Sequence, residues 1–527
     1  MAESLNETES RDSNATSLTS TVVRSATLVT FFFTVDKVLG LVRDAAIGHA
    51  FGASPALDAY YAAFELPDAL FNVVAGLAMA TALIPVLSSY LVRDEDGNTN
   101  AAEGWRLVSA VINWALLIVA VVSVVAAFFA PQIIGAVAPG FEAIRARMAT
   151  QLMRLVLLQT LVSTVSGIVM SVLQAHQHFL LPAAAPLAYT LGRIGGALLL
   201  APRWGIYGLA WGGLVGTVGH FLIQVPGLIR YRARWWPILR HPGLQDLLRL
   251  MGPRVLGLGV TYLNFVLPTF LGSRLASGAI ATYEYGWRLM QFPETIIGTA
   301  LGLTVFPTLS ERANAGDRAG LRHTASWALC LVLALAIPAA VGLIVLGRPL
   351  TAVFLQRGAF DAEVTARVYR GLQFFALGLI THSALEVTSR LFYAQRDMWT
   401  PFWAALTGLL TNGLLGLLLL EPLAMGGLAL ANSLGAGVQV AILLMVTNRR
   451  LGGIRIEPMA ASLARTVLIS ALMGLAVFGF QALLPEAGLI VTSLGGLAVG
   501  GGAFVGASAL VGSPELRALP GMLLERG

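Results

Sequence analysis

Charged side chains interrupt stretches of this sequence that are otherwise apolar. The first such stretch carries Asp36, Lys37, Arg43 and Asp44, and the second carries Asp58, Glu65 and Asp68, followed by Asn72. The eighth carries Glu284 and Arg288, with Gln291 and Thr295 continuing the same face. Asp58, Glu65 and Asn72 recur at seven-residue spacing, and Glu284 and Arg288 stand four apart, so each set shares one side of a helix. An ionisable group inside hydrocarbon is costly, and its presence marks a transport path or a counter-ion to a ligand unless a structural partner neutralises it. Cations in such a place suit an anionic ligand, and arginine adds a planar fork that matches phosphate oxygens. Lys37 is the only lysine in the chain. The competing structural readings are snorkelling for Arg43 and Asp44, helix capping or loop anchoring for Asp58, and a mutual ion pair for Glu386 and Arg390 in the tenth stretch.

No catalytic constellation accompanies these charges. The chain contains no H-E-x-x-H, no G-x-S-x-G and no phosphate-binding Walker loop. The reading is therefore of a non-enzyme without a cofactor. His176, His178, His220 and His382 lack zinc-like spacing, and His176 and His178 read as part of a polar loop. Cys330, the single cysteine, can make neither an intrachain disulfide nor a cysteine-based metal site.

The elements that must position the charges are membrane spans. Of 527 residues, 56% are hydrophobic and 12% charged, and mean hydropathy is +0.75. Soluble chains carry roughly twice that charge fraction. A span needs about 20 apolar residues, and about fourteen segments qualify, from one beginning near Ser25 to one beginning near Gly488. The fold class is an all-α polytopic membrane protein with two six-helix lobes in parallel repeat and two further helices at the C-terminus. The expected divisions are a disordered cytoplasmic tail over 1–22, an N-lobe over 23–229, a basic cytoplasmic linker over 230–252, a C-lobe over 253–448, the last two spans over 449–512, and a C-terminal tail over 513–527.

The formal charge is +6. The arginines cluster in short loops, notably Arg230, Arg232, Arg234, Arg240 and Arg249, then Arg312, Arg318 and Arg322, then Arg449, Arg450 and Arg455. That pattern reads as topology, with both termini cytoplasmic, and not as a nucleic-acid surface. The segment between Arg348 and Arg370 is long enough for a short surface helix.

The parallel repeat rests on internal similarity. Ala175 precedes Pro182 by seven residues, as Ala394 precedes Pro401. Gly208-Leu209-Ala210 recurs as Gly427-Leu428-Ala429, at the same offset of 219. Pro85-Val86-Leu87-Ser88 recurs as Pro307-Thr308-Leu309-Ser310. A six-span unit is even, so both copies enter the membrane in one direction. Gly496, Gly500, Gly502 and Gly506 in the last span have small-xxx-small spacing, which predicts close helix packing.

Taken in order, Lys37 to Asp44, Phe51-Gly52-Ala53, Asp58-Ala59, Phe64-Glu65-Leu66-Pro67, Arg288 to Pro293, Phe392-Tyr393-Ala394 and Thr400-Pro401 resemble the MviN/MurJ family of the multidrug/oligosaccharidyl-lipid/polysaccharide exporter superfamily. The similarity runs through nearly the whole chain. It implies a flippase in the bacterial inner membrane whose substrate is lipid II, undecaprenyl pyrophosphate bearing a disaccharide-pentapeptide. It implies that Arg43 and Arg288, with Lys37 where the family has arginine, face the pyrophosphate, among polar neighbours Asp44, Asp58, Glu65, Asn72 and Glu284. It also implies transport driven by membrane potential or an ion gradient, with membrane lipids and the cell-wall synthesis machinery as partners. Four positions depart from the family pattern: Phe71 and Asn72 replace adjacent arginines, Trp287 replaces an acidic residue, and Gly76 replaces a glutamate further along the second span. They keep open a flippase for another polyprenyl-linked oligosaccharide, and the acidic face of Asp58 and Glu65 keeps open a cation-coupled small-molecule exporter.

Overall fold

A computed structural model describes residue 28 and residues 31–74, 77–91, 100–452, 456–485 and 487–511. The two expected tails, 1–22 and 513–527, and Gly76 lie outside the described residues. Among the described residues there is no strand. The helices are α1 (31–51), α2 (Pro55–Val74), α3 (Leu77–Leu91), α4 (Ala101–Phe128), the short α5 (Ala130–Val137), α6 (Ala143–Ala175), α7 (Leu180–Trp204), α8 (Ile206–Arg230), α9 (Gly243–Gly272), α10 (Ala279–Asn314), α11 (Arg318–Leu355), α12 (Ala362–Ala394), α13 (Trp399–Leu423), α14 (Met425–Leu451), α15 (Ile456–Leu483) and α16 (Val491–Val511). Ten of them are long and apolar enough to cross a bilayer. The remaining expected spans fall on α1, on α2 with α3, on α9 and on α12, and α1, α2 and α12 are helices that carry the intramembrane charges.

The chain divides into two compact units. The first holds residues up to Ala50, Ala62–Gly135 and Ala143–Leu258; the second holds Phe51–Tyr61, Ala136–Glu142 and the chain from Gly259 onward. In the first unit, Leu83 and Leu87 of α3, Leu107 and Val108 of α4, and Ile168 and Val172 of α6 make a closed apolar core. In the second, Tyr283 and Met290 of α10 pack with Leu372 and Phe375 of α12 and Leu428 of α14. The starts of α11 and α12 are capped by their own acids: Asp317 accepts from the Gly320 N–H at 2.8 Å and Asp361 from the Val364 N–H at 2.8 Å.

The internal repeat is visible in the backbone. Gln177 and Arg396, 219 residues apart, both take positive φ, 58° and 60°. Gly205 breaks α7 from α8 with φ 55° and ψ −139°, and Ala424 breaks α13 from α14 with φ 47° and ψ −124°. The following helix then packs tightly on the preceding one in both copies. A Cβ on Gly216 would stand 2.9 Å from the Ala188 carbonyl, and one on Gly435 would stand 2.7 Å from the Gly408 carbonyl. These two positions are again 219 apart.

Three expectations change. The segment from Arg348 to Arg370 is not a loop with its own helix, because α11 continues to Leu355 and α12 begins at Ala362, leaving a short turn. His176 is not in an open polar loop; its ring lies against Trp105 and Tyr231, with centroids 5.7 and 4.4 Å away. Of the four small-residue positions in the last span, Gly496 and Gly500 meet Leu346 and Val477, while Gly502 and Gly506 have nothing within 4 Å of a Cβ. Only half of that stripe is a packing surface.

Candidate functional site

In the second unit, the first turn of α10 is completed by a residue from far earlier in the chain. Asp58 is 1% exposed. Its carboxylate accepts from the Gly278 N–H at 2.6 Å and the Ala281 N–H at 2.9 Å. Four amide N–H groups at a helix start lack partners within the helix, and their dipoles favour a negative charge there. Gly278 takes φ 85°, and a Cβ on it would come within 2.0 Å of the Ala53 carbonyl, so only glycine lets the two backbones approach this closely. Asp58 is thus a capping and anchoring group, one of the two roles its position allowed.

Two turns further along α10, Arg288 is held on two sides. Its Nη2 donates to Glu284 at 3.1 Å and its Nη1 donates to the Tyr61 hydroxyl at 3.1 Å. The guanidinium also stands 5.0 Å from the Tyr61 ring centroid. Both members of the ion pair are half-buried. A fork with two fixed partners keeps its orientation, which a lysine could not reproduce.

The same unit contains a partly open cavity of about 580 Å³ between α9, α10, α12, α13 and α14. Its polar wall is assembled from single residues on different helices. Asn412 donates to Asn264 at 2.7 Å, and His382 Nε2 lies 3.0 Å from Asn432 Oδ1. Glu386 pairs with Arg390, as their spacing predicts. Glu294 joins this wall where α10 loosens into a π-helical turn over Thr295–Thr299. Pro293 precedes that turn and cannot donate to the helix ladder, and such turns recur at functional sites. Trp287 makes an aromatic edge against His382, with centroids 5.2 Å apart. Carboxylates, amides and aromatic faces of this kind can hold a cation or pass a proton. Among the described residues no group of three or more histidine, cysteine or acidic side chains is arranged to hold a metal ion.

In the first unit, α1 places Arg43 against its neighbour Asp44, Nη2 to Oδ1 2.9 Å, with Asp44 buried. Lys37 is exposed and lies 5.2 Å from the Phe33 ring centroid. Asp36 accepts from Thr190 of α7 at 3.1 Å. Glu65 is half-buried on α2, and the Asn72 amide donates to the carbonyl of Asp68, so it is engaged with its own helix.

The structure therefore brings Glu284 and Arg288 together, joins Arg43 to Asp44, and gives Asp58 a separate structural task. Sequence reasoning missed two features. Arg193, 9% exposed in the middle of α7, lies 5.6 Å from the ring centroids of both Phe64 and Tyr189. The intramembrane-charge rule would have found it, because it interrupts an apolar run in the same way as Arg288. The amide and histidine lining of the cavity carried no such signal, since Asn264, Asn412 and Asn432 are uncharged and lie far apart in sequence.

Long apolar helices, paired charges within them and a polar cavity among them define a polytopic membrane transporter. The fold agrees with solved transporters of the MOP superfamily. An inward-facing multidrug resistance MATE family transporter superimposes with a TM-score of 0.63 at 14% identity, covering 79% of this chain and 94% of its own. Residues 47–498 match the family described as lipid II flippase MurJ, and this chain belongs to that family. A lipid II flippase MurJ of Burkholderia cenocepacia is 31% identical over 81% of this chain and 84% of its own length. A probable lipid II flippase MurJ of Synechocystis is 30% identical over 84% of each. A solved lipid II flippase MurJ in an inward closed conformation has a TM-score of 0.77 at 24% identity, covering 92% of this chain and 98% of its own.

Proposed function

We propose that this protein carries lipid II from the cytoplasmic to the outer leaflet of the bacterial inner membrane by alternating access, for cell-wall synthesis. The observation that carries this reading is the family match, which runs from residue 47 to residue 498 and takes in Arg288 and the repeat positions. A pyrophosphate and its sugars cannot cross hydrocarbon unaided, because desolvating them without compensation is prohibitive. In this reading Lys37, Arg43 and Arg288 replace the water around the pyrophosphate. Arg43 and Arg288 are each held by a carboxylate on their own helix. Those carboxylates keep the cations neutralised when no substrate is bound, since a desolvated cation left alone is strongly destabilising. The arriving pyrophosphate takes over the two guanidinium groups from Asp44 and Glu284, so Arg43 and Arg288 are neutralised both before and after binding.

Both termini lie in the cytoplasm in this reading, which the arginine-rich loops support. Membrane potential or an ion gradient supplies the driving force, consistent with a chain that has no nucleotide-binding motif. The product passes to the cell-wall synthesis machinery. A second reading, a flippase for a different polyprenyl-linked oligosaccharide, is favoured by Phe71 and Asn72, where the family pattern has arginines.

The test is rescue of cells depleted of their own lipid II flippase, with Arg43→Ala and Arg288→Ala variants expressed to equal levels. Growth with the parent and none with either variant supports lipid II transport through these cations. No rescue by a well-expressed, membrane-inserted parent counts against lipid II as substrate.

A further inference from the structure

Residues 231–242 join α8 to α9 in the first unit and contain neither helix nor strand. Their backbone is nevertheless held at several points by side chains of α4. The Asn113 amide donates to the carbonyls of Trp236 and Ile238, both at 2.8 Å, and the Trp114 indole donates to the Leu239 carbonyl at 2.7 Å. Ser109 accepts from the Trp236 N–H at 3.2 Å, and the Trp235 indole donates to Asn113 Oδ1 at 2.9 Å. An irregular strap would otherwise fluctuate, and here its path is set residue by residue.

The side chains it presents are of one chemical kind. Arg230, Arg232, Arg234 and Arg240 are exposed, and Arg249 follows on the exposed side of α9. No acidic residue lies between 230 and 242, and among the described residues none of these arginines is in an ion pair. Trp235, 64% exposed, and Leu239 stand among them. Arg230 is the last residue of the apolar span α8, so the strap runs along a membrane–water boundary.

We propose that this strap is a binding surface for anionic phospholipid headgroups of the leaflet it borders. Guanidinium groups accept phosphate in bidentate fashion, and tryptophan settles at headgroup level with its ring in the acyl boundary. Topology alone would explain an excess of arginine, because orientation depends on the number of positive charges near the span ends. It would not explain a backbone fixed by three side chain-to-carbonyl bonds and by the Trp236 N–H on Ser109, nor an exposed tryptophan in the middle. Fixing the backbone in advance removes part of the ordering cost that binding would otherwise carry. Lipid binding of this kind is independent of which glycan the protein transports.

The test is native mass spectrometry of the full chain in detergent, offered phosphatidylglycerol and phosphatidylcholine in equal amounts. The parent retains phosphatidylglycerol in preference. Arg232→Gln/Arg234→Gln/Arg240→Gln loses roughly tenfold or more of that preference, since a surface arginine contributes on the order of fivefold in affinity for an anionic leaflet. The corresponding lysine variant keeps most of it. Asn113→Ala, which leaves every charge in place, lowers the preference by releasing the strap, and it decides the matter where the triple variant does not fold. A parent without preference overturns the proposal, as does an unchanged preference in the triple glutamine variant or in Asn113→Ala.

Discussion

Asp58 accepts a hydrogen bond from the backbone of Gly278 at 2.6 Å, so a carboxylate in the first tenth or so of the sequence caps a helix whose N-cap residue lies 220 residues later. Two N–H groups of that first turn depend on it, at a site where Asp58 is 1% exposed. Asp58→Ala leaves both donors buried and unsatisfied, at a cost of about 1–3 kcal/mol. Thermal unfolding of the purified protein should show a clear drop in midpoint. Asp58→Asn, which retains one acceptor oxygen, should recover part of it. A variant as stable as the parent would remove Asp58 from the anchoring role.

Arg288 can be separated from its partner by exchange. If the pair with Glu284 served stability alone, Glu284→Arg/Arg288→Glu would restore whatever the single changes lose, because spacing and charge are conserved. The expectation is that the double exchange folds and inserts but fails to support growth in flippase-depleted cells, since it withdraws the cation from the position proposed to meet the pyrophosphate. Arg288→Lys should fall between, keeping charge but losing the fork that reaches both Glu284 and Tyr61. Full growth with the exchanged pair would place Arg288 outside the transport path.

How much of this could be read from residues alone follows from distance along the chain. Pro182 and Pro401, with their preceding alanines, reveal the repeat because its signal is a fixed offset, and Gln177 and Arg396 show the same turn in three dimensions. Glu386 and Arg390 meet because four residues bring side chains onto one helical face. Asp58 and Gly278 share no such rule; nothing local in Ala56 to Tyr60 identifies which distant helix needs a cap. The cavity is hidden for a related reason. Asn264, His382, Asn412 and Asn432 come from four helices, and each alone is an ordinary polar residue in a span. The small-residue stripe at Gly496 to Gly506 misled in the opposite direction, since spacing specifies a face but not whether a neighbour covers its whole length.

Asp397 lies in the turn between α12 and α13. Burial by itself would raise its carboxyl, but hydrogen bonds from the Thr400 hydroxyl and N–H and from Arg450 outweigh that and hold it at about 2. Arg450 reaches it from the end of α14 at 2.5 Å. The folded value lies below the ordinary 3.8, so the stabilisation is complete above pH 3.8 and is lost as pH falls towards 2. Thermal midpoints measured from pH 6 down to pH 2.5 should fall more steeply for the parent than for Asp397→Asn. Equal slopes would mean that this clamp contributes nothing to acid sensitivity.

Ala424 and Gly205 occupy the same place in the two repeats with nearly the same backbone, and only one of them is suited to it. A positive φ with strongly negative ψ is open to glycine and disfavoured for a residue with a Cβ, at a cost of about 1–3 kcal/mol. At Gly205 a Cβ would meet nothing within 4 Å, so an added methyl tests the backbone alone. Gly205→Ala should therefore lower stability by about 1–2 kcal/mol. Ala424→Gly should raise it by less, because glycine gains freedom in the unfolded chain and offsets part of the relief. Opposite shifts in thermal midpoint are the expected result. A destabilised Ala424→Gly would show that its methyl group makes contacts worth more than the strain it carries.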